Sequence, residues 1–416
     1  VVEEKTENHN AWIKTDSSEH REQDAEKIFK TVIGILSSMR TTLQSVHTVA
    51  ITGQMHGVVI WNGESLAEGK LCCSPLITWM DSRVPQQFIS SLPRWELGDV
   101  HSGYGMATLA WLSSKSLIEP GWNCCGTIMD MFGCYIARLR TSLMGIQNAF
   151  SWAYCNRKCQ WTLTGDIIPS SLLPRIVPTG TVIGSVLSEH VALPLGARVV
   201  ASLGDLQATV YPLLTANSAV LNLGTSAQLC FRYAGNDVFP SPLLTEPFFD
   251  DCQLVTAASM NGGSAVHLLA EKIVEWASAL LSYDTDHLQL DFGKFDSILR
   301  SSSSAVPSVS VQPTFYKERA DHLPSVVRGL QPDTTVVELL HATARGVISN
   351  LSRLLPANVL RANGVRRLVL AGNATKPPYM QYAKEHFSDF EVIPNCVNRT
   401  SAAYGAALFA LNFPRI

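Results

Sequence analysis

In the second half of the chain, apolar runs of strand length repeatedly break off into glycine and a small polar residue. Arg198–Ser202 runs into Gly204-Asp205, Ala219–Leu223 into Gly224-Thr225-Ser226, Leu254–Ser259 into Asn261-Gly262-Gly263, and Arg367–Leu370 into Ala371-Gly372. Runs of this length bounded by glycine read as strands. Turns of this composition expose backbone N–H groups, which suits phosphate oxygens. Neither GxxxxGK[ST] nor GxGxxG occurs, so neither a P-loop nor a dinucleotide-binding fingerprint is supported. Taken singly, each turn is also an ordinary strand end.

Composition narrows the class. With 46% hydrophobic and 16% charged residues, the chain can bury sizeable cores, which excludes a disordered, collagen-like or coiled-coil protein. Its 416 residues suggest two to three domains. Lysine and arginine are scattered and the net charge is −3, so no nucleic-acid footprint is visible. No apolar run reaches membrane-spanning length, and the opening VVEEKTENHN does not read as a signal peptide. Cysteines occur as neighbours (Cys72-Cys73, Cys124-Cys125) or singly, and Cys155 with Cys159 lacks further zinc ligands nearby. Reduced thiols in a cytoplasmic protein with no assigned metal ligand are the expectation.

Earlier in the chain, residues 1–20 suggest an edge strand and a loop. Gln23 to Ser45 reads as one amphipathic helix, with Phe29, Val32, Leu36 and Leu43 on a single stripe. Strands Val46–Thr52 and Val58–Asn62 flank the loop Gly53–Gly57, and short helices are expected between Leu92 and Tyr154. Leu172–Val186, punctuated by proline and glycine, reads as a crossover between domains. Later, a helix is expected from Ala265 to about Leu281, Ser301–Ser304 as a flexible connection, Thr335-Val-Val-Glu338 as a capping box, and Ser401–Leu411 as a small-residue helix able to pack close to a sheet.

Three groups carry candidate chemistry. Asp205 follows an apolar strand and a glycine, where its carboxylate could take a hydroxyl proton during attack on phosphorus; the competing role is a helix N-cap. Met55-His56 offers an apolar wall and a hydrogen-bonding ring, although a lone histidine is often structural. Trp79, Asp81 and Arg83 combine a flat ring, an acid and a forked donor, suited to a polyol or equally to a core aromatic beside a surface ion pair. Lys317-Glu318-Arg319 reads as a solvated charge cluster.

Together, GQMHG, WMDSR, LGDLQA, NLGTS, MNGG and AAYGAAL come in an order and at distances that resemble the FGGY carbohydrate kinases, from about His20 to Phe413. Segments such as HREQD, QNAFSWAYCN and the ERADHLPS after Lys317 are most similar to the sedoheptulose-phosphorylating branch. The resemblance implies an α/β protein of actin-like (ribonuclease H-like) fold with a cleft between two domains: 1–195 for the sugar and 196–416 for most of the nucleotide. It also implies Asp205 as general base, Met55 and His56 as sugar contacts, and Trp79, Asp81 and Arg83 near the same pocket. Gly224, Thr225 and Ser226 match a phosphate loop, Gly262 and Gly263 a nucleotide-side turn, and Gly372-Asn373 an adenosine turn. ATP with Mg²⁺ would phosphorylate a ketose, sedoheptulose before xylulose or ribulose, feeding the pentose phosphate pathway.

Two departures stand out. The family's opening D-x-G-T-T phosphate loop has no counterpart in this chain, so an incomplete gene model or fragment, with open strand edges in the first domain, is the expectation. In the adenosine turn Ala371-Gly372 replaces Gly-Gly, and Lys376-Pro377-Pro378 should delay the next helix. A non-catalytic sugar-binding or regulatory protein on the same scaffold is the competing reading. A protein-folding ATPase of the wider superfamily leaves the sugar-side motifs unexplained.

Overall fold

The computed structural model describes residues 1–281, 290–300, 308–316, 318, 323–395 and 401–413. The chain divides into two units: 1–212 with 246–251 and 401–416, and 213–245 with 252–400.

In the first unit, Asp24 caps a helix by accepting the Lys27 amide at 3.1 Å, and the apolar stripe carries that helix from Ala25 to Ser38. Met39, at φ −105° and ψ 10°, breaks the longer helix expected here, and Arg40–Leu43 forms a separate turn. No edge strand forms within residues 1–20; Trp12 makes one bridge to Gln23. The strand expected over Val46–Thr52 is two short pieces. Thr48–Val49 pairs in parallel with Arg198–Val200, and Thr52–Gly53 in parallel with Leu203–Gly204. Val59–Trp61 pairs antiparallel with Cys124–Gly126, and Leu143–Gly145 pairs in parallel with Arg175–Val177. Phe29, Trp61, Leu66 and Met131 fill one core of this unit, and Met106, Leu109, Phe150 and Trp152 a second.

These pairings correct the expected organisation. Leu172–Val186 is no crossover between domains: Pro178–Thr181 turns the chain from Arg175–Val177 into Val182–Ser185, which pairs with Arg198–Val200. For the same reason the division at 195/196 moves to 212/213, because the strands leading to Asp205 hydrogen-bond to those around Gly53. The expected 196–416 domain also loses its last segment. Helix Ala402–Leu411 packs on Asp205–Val210 in the first unit, not on a sheet of the second, and Phe409 meets Tyr211 and Phe249.

The second unit is built on a six-stranded sheet in the order Leu244–Pro247, Gln253–Ser259, Ala227–Tyr233, Ser218–Leu223, Arg367–Gly372 and Glu391–Pro394. Ala227–Tyr233 pairs antiparallel with both neighbours, whereas Ser218–Leu223, Arg367–Gly372 and Glu391–Pro394 run parallel. Helices Gly263–Leu281 and Val336–Leu354 supply Ala265, Val266, Leu340, Val347 and Leu351 to its core. The capping box forms: Thr335 Oγ1 accepts the Glu338 amide at 3.2 Å and Glu338 Oε2 accepts the Thr335 amide at 2.8 Å. The helix after the two prolines begins at Tyr379.

Ser301–Ser304, Lys317 and Arg319 lie outside the described residues. Among the described residues, no helix is long and apolar enough to cross a membrane, and no cluster of three or more acidic, histidine or cysteine residues could hold a metal. The described cysteines are free thiols, and burial pushes those of Cys134 and Cys155 up to about 12.

Candidate active site

Asp205 opens the short helix Asp205–Val210, with Gly204 in the N-cap position, so the N-cap role does not apply to it. Its Oδ1 accepts the Leu206 amide at 2.7 Å. Burial outweighs this bond and pushes the carboxyl up to about 6. At neutral pH the group remains ionised, yet it is more basic than an ordinary carboxylate.

Met55 is brought to Asp205 by the parallel pairing of Thr52–Gly53 with Leu203–Gly204. A Cβ on Gly204 would stand 2.2 Å from Gln207 Oε1 and 2.7 Å from Met55 Sδ, so the glycine lets both side chains close over the strand end. His56 has φ 68°, an uncommon conformation for a residue with a side chain. Two bonds hold it there: its amide donates to Ser151 Oγ at 3.2 Å, and Nδ1 lies 2.6 Å from the Ser151 carbonyl. A carbonyl only accepts, so Nδ1 carries a proton. The ring stacks on Tyr104, with centroids 4.7 Å apart, and Tyr104 in turn meets His101 edge-on. Tyr104 and His101 were not singled out in the sequence, although both belong to the segment HSGYGM.

Trp79 is half-buried, and its backbone carbonyl lies against Gly103, next to Tyr104 in the chain, where the missing side chain leaves it space. Asp81 and Arg83 are differently placed from a surface ion pair. Arg83 Nε donates to Asp81 Oδ1 and Nη2 to Asp81 Oδ2, both at 2.7 Å, and Nη2 also reaches Glu22 at 2.6 Å. The Arg21 amide adds a bond to Asp81 Oδ2 at 2.8 Å. Both oxygens of a carboxylate that is 2% exposed are thus engaged, and the pair joins the 19–23 segment to the loop after Ile77. That geometry clamps two segments of the first unit together.

Behind Asp205 lies a polar network that local sequence signals did not reveal. Asp130, in the buried capping box of helix Ile128–Ala137, accepts from Thr127 and from the Ser202 hydroxyl. Asn148 Nδ2 donates to Ser202 Oγ at 2.9 Å, and the Gly204 amide donates to Gln147 Oε1 at 3.1 Å. Burial pushes the Asp130 carboxyl up to about 6. Asp-Met-Phe and Gln-Asn are ordinary local sequences, and only the fold shows that Asp130, Gln147 and Asn148 meet at Ser202 and Gly204.

In the second unit the three predicted nucleotide-side turns come together at one end of the sheet. The Gly263 amide donates to the Gly224 carbonyl at 2.9 Å, and the Gly262 amide and Ser264 Oγ donate to the Thr225 carbonyl at 3.2 and 2.6 Å. A Cβ on Gly262 would stand 2.6 Å from that carbonyl, so the contact requires glycine. Gly372 pairs with Leu223 in the parallel ladder, which sets the adenosine-turn candidates Gly372 and Asn373 beside the Gly224–Ser226 loop. Asn373 Nδ2 lies 3.8 Å from where a Gly263 Cβ would be. Gly224 and Thr225 are exposed, and helix Gly263–Leu281 begins at the same place. The amides at that helix start are taken up by the Gly224, Thr225 and Gly262 carbonyls, so the exposed loop beyond the carboxyl ends of the parallel strands is the part that fits phosphate groups.

Comparison with known proteins agrees with this geometry. Mouse sedoheptulokinase is 31% identical over 421 residues, spanning 94% of this chain and 87% of that protein. Human sedoheptulokinase is 33% identical over 384 residues, spanning 85% and 79%. The crystal structure of xylulose kinase from Rhodospirillum rubrum matches with a TM-score of 0.76 at 17% identity, covering 96% of this chain and 83% of that one. Plasmodium falciparum glycerol kinase, solved with ADP, matches with a TM-score of 0.76 at 17% identity, covering 97% and 83%. No family profile matches the chain. Shared identity across most of both sedoheptulokinases, on the two-domain actin-like fold of the sugar kinases, places this chain in the sedoheptulokinase branch of the FGGY carbohydrate kinases.

Proposed function

We propose that this carbohydrate kinase transfers the γ-phosphoryl group of ATP to the primary hydroxyl of sedoheptulose, yielding sedoheptulose 7-phosphate and ADP. The observation that carries the reading is Asp205: a half-buried carboxylate, raised to about 6, next to the Gly204 on which Met55 packs. Asp205 takes the hydroxyl proton as that oxygen bonds to phosphorus and the bond to the ADP oxygen breaks. Met55 forms an apolar wall, the stacked His56–Tyr104 pair gives a flat face for the sugar carbons, and Trp79 is the further aromatic candidate for that pocket. The exposed Gly224–Thr225 loop faces the phosphate oxygens, braced by the Gly262–Gly263 turn whose amides it accepts, with Gly372 and Asn373 toward the nucleoside. The Gly224–Ser226 loop offers hydroxyls but no carboxylate of its own, so Mg²⁺ bound with the nucleotide would supply the neutralisation of phosphate charge.

Coupled ADP release by the full chain with ATP, Mg²⁺ and sedoheptulose, xylulose or ribulose in turn tests the proposal, with Asp205→Ala as control. Turnover on sedoheptulose that the substitution abolishes is the expected result. Preference for xylulose or ribulose would reassign the substrate. Sugar binding without turnover on any of the three would favour a binding protein.

A further inference from the structure

The segment expected to be a solvated charge cluster contains a buried acid. Glu318 is 5% exposed, and its carboxylate is surrounded by donors from one turn. Oε1 accepts from Ser259 Oγ at 2.5 Å and from Asn261 Nδ2 at 2.8 Å, and Oε2 accepts the Met260 amide at 3.0 Å. Asn350 Nδ2, on the long helix, reaches Oε1 at 3.4 Å. No lysine, arginine or histidine forms an ion pair with this carboxylate among the described residues. Burying an acid in this way is unfavourable unless donors replace its water, and here the donors are nearly all supplied by Ser259–Asn261.

Those residues immediately precede the Gly262–Gly263 turn. Asn261 is held from its other side as well, donating to the Tyr316 carbonyl at 2.8 Å and accepting the Tyr316 amide at 2.7 Å. A continuous chain of bonds therefore runs from Glu318 through Met260 and Asn261 to Gly262 and Gly263, and from there to the Gly224 and Thr225 carbonyls. Each donor facing Glu318 requires an acceptor, and an ionised carboxylate is the side chain that accepts at both oxygens.

We propose that Glu318 is a positioning residue for nucleotide binding: it sets the Ser259–Asn261 turn so that the glycines beyond it brace the exposed Gly224–Thr225 loop against phosphate. The inference rests on the reading of these turns as the nucleotide side. Glu318→Gln keeps the shape but turns an NH₂ toward a donor, leaving one group unpaired.

Titration of the full chain with MgADP, wild type against Glu318→Gln, reads the effect without requiring turnover; KM for ATP, KM for the sugar and the thermal midpoint are measured beside it. The expected result is about tenfold weaker MgADP binding, the size of one lost charge-assisted bond. KM for ATP should rise in parallel while KM for the sugar stays within about twofold of wild type. Ser259→Ala removes a single donor and should move the same quantities in the same direction by a smaller factor, so it carries the test if Glu318→Gln does not fold. Unchanged MgADP affinity in a folded variant overturns the inference, as does a loss of sugar and nucleotide affinity in equal measure. Failure of the wild-type chain to bind MgADP would instead overturn the nucleotide-side reading itself, and this inference with it.

Discussion

Gly204 and Met55 share a space that admits no further atom: a Cβ on Gly204 would stand 2.7 Å from Met55 Sδ and 2.8 Å from Cε. Gly204→Ala must therefore displace the methionine or the first turn carrying Asp205. Overpacking of this kind costs about 1–3 kcal/mol. We expect the thermal midpoint to fall and kcat/KM for the sugar to drop by at least about tenfold, since misplacement near an ångström is felt at the reacting atoms. Steady-state kinetics with the sugar varied would refute this if both constants matched wild type.

Asp205 sets an acidic limb in the rate profile. Its carboxyl must be ionised to accept a proton, and burial raises it to about 6, so kcat should fall as pH drops through that value rather than near 4. Asp205→Asn should lower kcat by about 10²–10⁴-fold while binding persists. A profile that stays flat down to about pH 4.5 would contradict a base of this basicity.

Asp130 makes a separate prediction about stability. Its folded value is raised above the unfolded one by burial, so the protonated form is favoured on folding. The contribution is present below the ordinary carboxyl value of 3.8 and is lost as pH rises to about 6, a change on the order of 3 kcal/mol. Because Asp205 titrates in the same window, chemical denaturation across pH 4–7 belongs in an Asp205→Asn background. Adding Asp130→Asn should flatten that dependence, although the substitution also lowers stability overall by disturbing the bonds from Thr127 and Ser202. An unchanged slope would show that Asp130 does not titrate there.

Arg83 tells clamp from sugar contact. Removing it leaves Asp81 and Glu22 uncompensated, at a cost of about 2–4 kcal/mol for a pair this well covered. Arg83→Ala should thus be read mainly in the denaturation midpoint, with KM for the sugar changing little at temperatures where the variant is folded. A large rise in KM with an unshifted midpoint would return Arg83 to the sugar pocket.

Gly262→Ala tests the nucleotide end. The added methyl meets the Thr225 carbonyl at 2.6 Å, and a rigid backbone on both sides leaves it nowhere to go. KM for ATP should rise by about tenfold or more, with KM for the sugar nearly constant. Equal shifts in both would mean that the turn supports the fold alone.

Much of this molecule is written in local chemistry. The strand ends at Gly204, Gly224, Gly262 and Gly372, the Thr335–Glu338 capping box, and the start of the helix at Tyr379 all follow from a few neighbouring residues whose backbone preferences and hydrogen bonds are satisfied within one or two turns. Their order along the chain also carried the family resemblance, which identity to the sedoheptulokinases then established.

What required tertiary structure is wherever distant segments share one space. Strand Ala227–Tyr233 takes its place by pairing on both edges, and the C-terminal helix joins the first unit through Ala208, Tyr211 and Phe249, far away in sequence. The same holds for charge: Asp81 with Arg83, and Glu318 after Lys317, resemble solvated clusters because nothing nearby in sequence shows the donors that replace water. The Arg21 amide supplies a donor to Asp81 while Glu22 accepts from Arg83 in one case, and Ser259–Asn261 supply the donors in the other. Local sequence determined where the chain turns and which groups it offers; burial and long-range pairing decided which of those groups meet, because the free energy of a buried polar contact belongs to both partners at once.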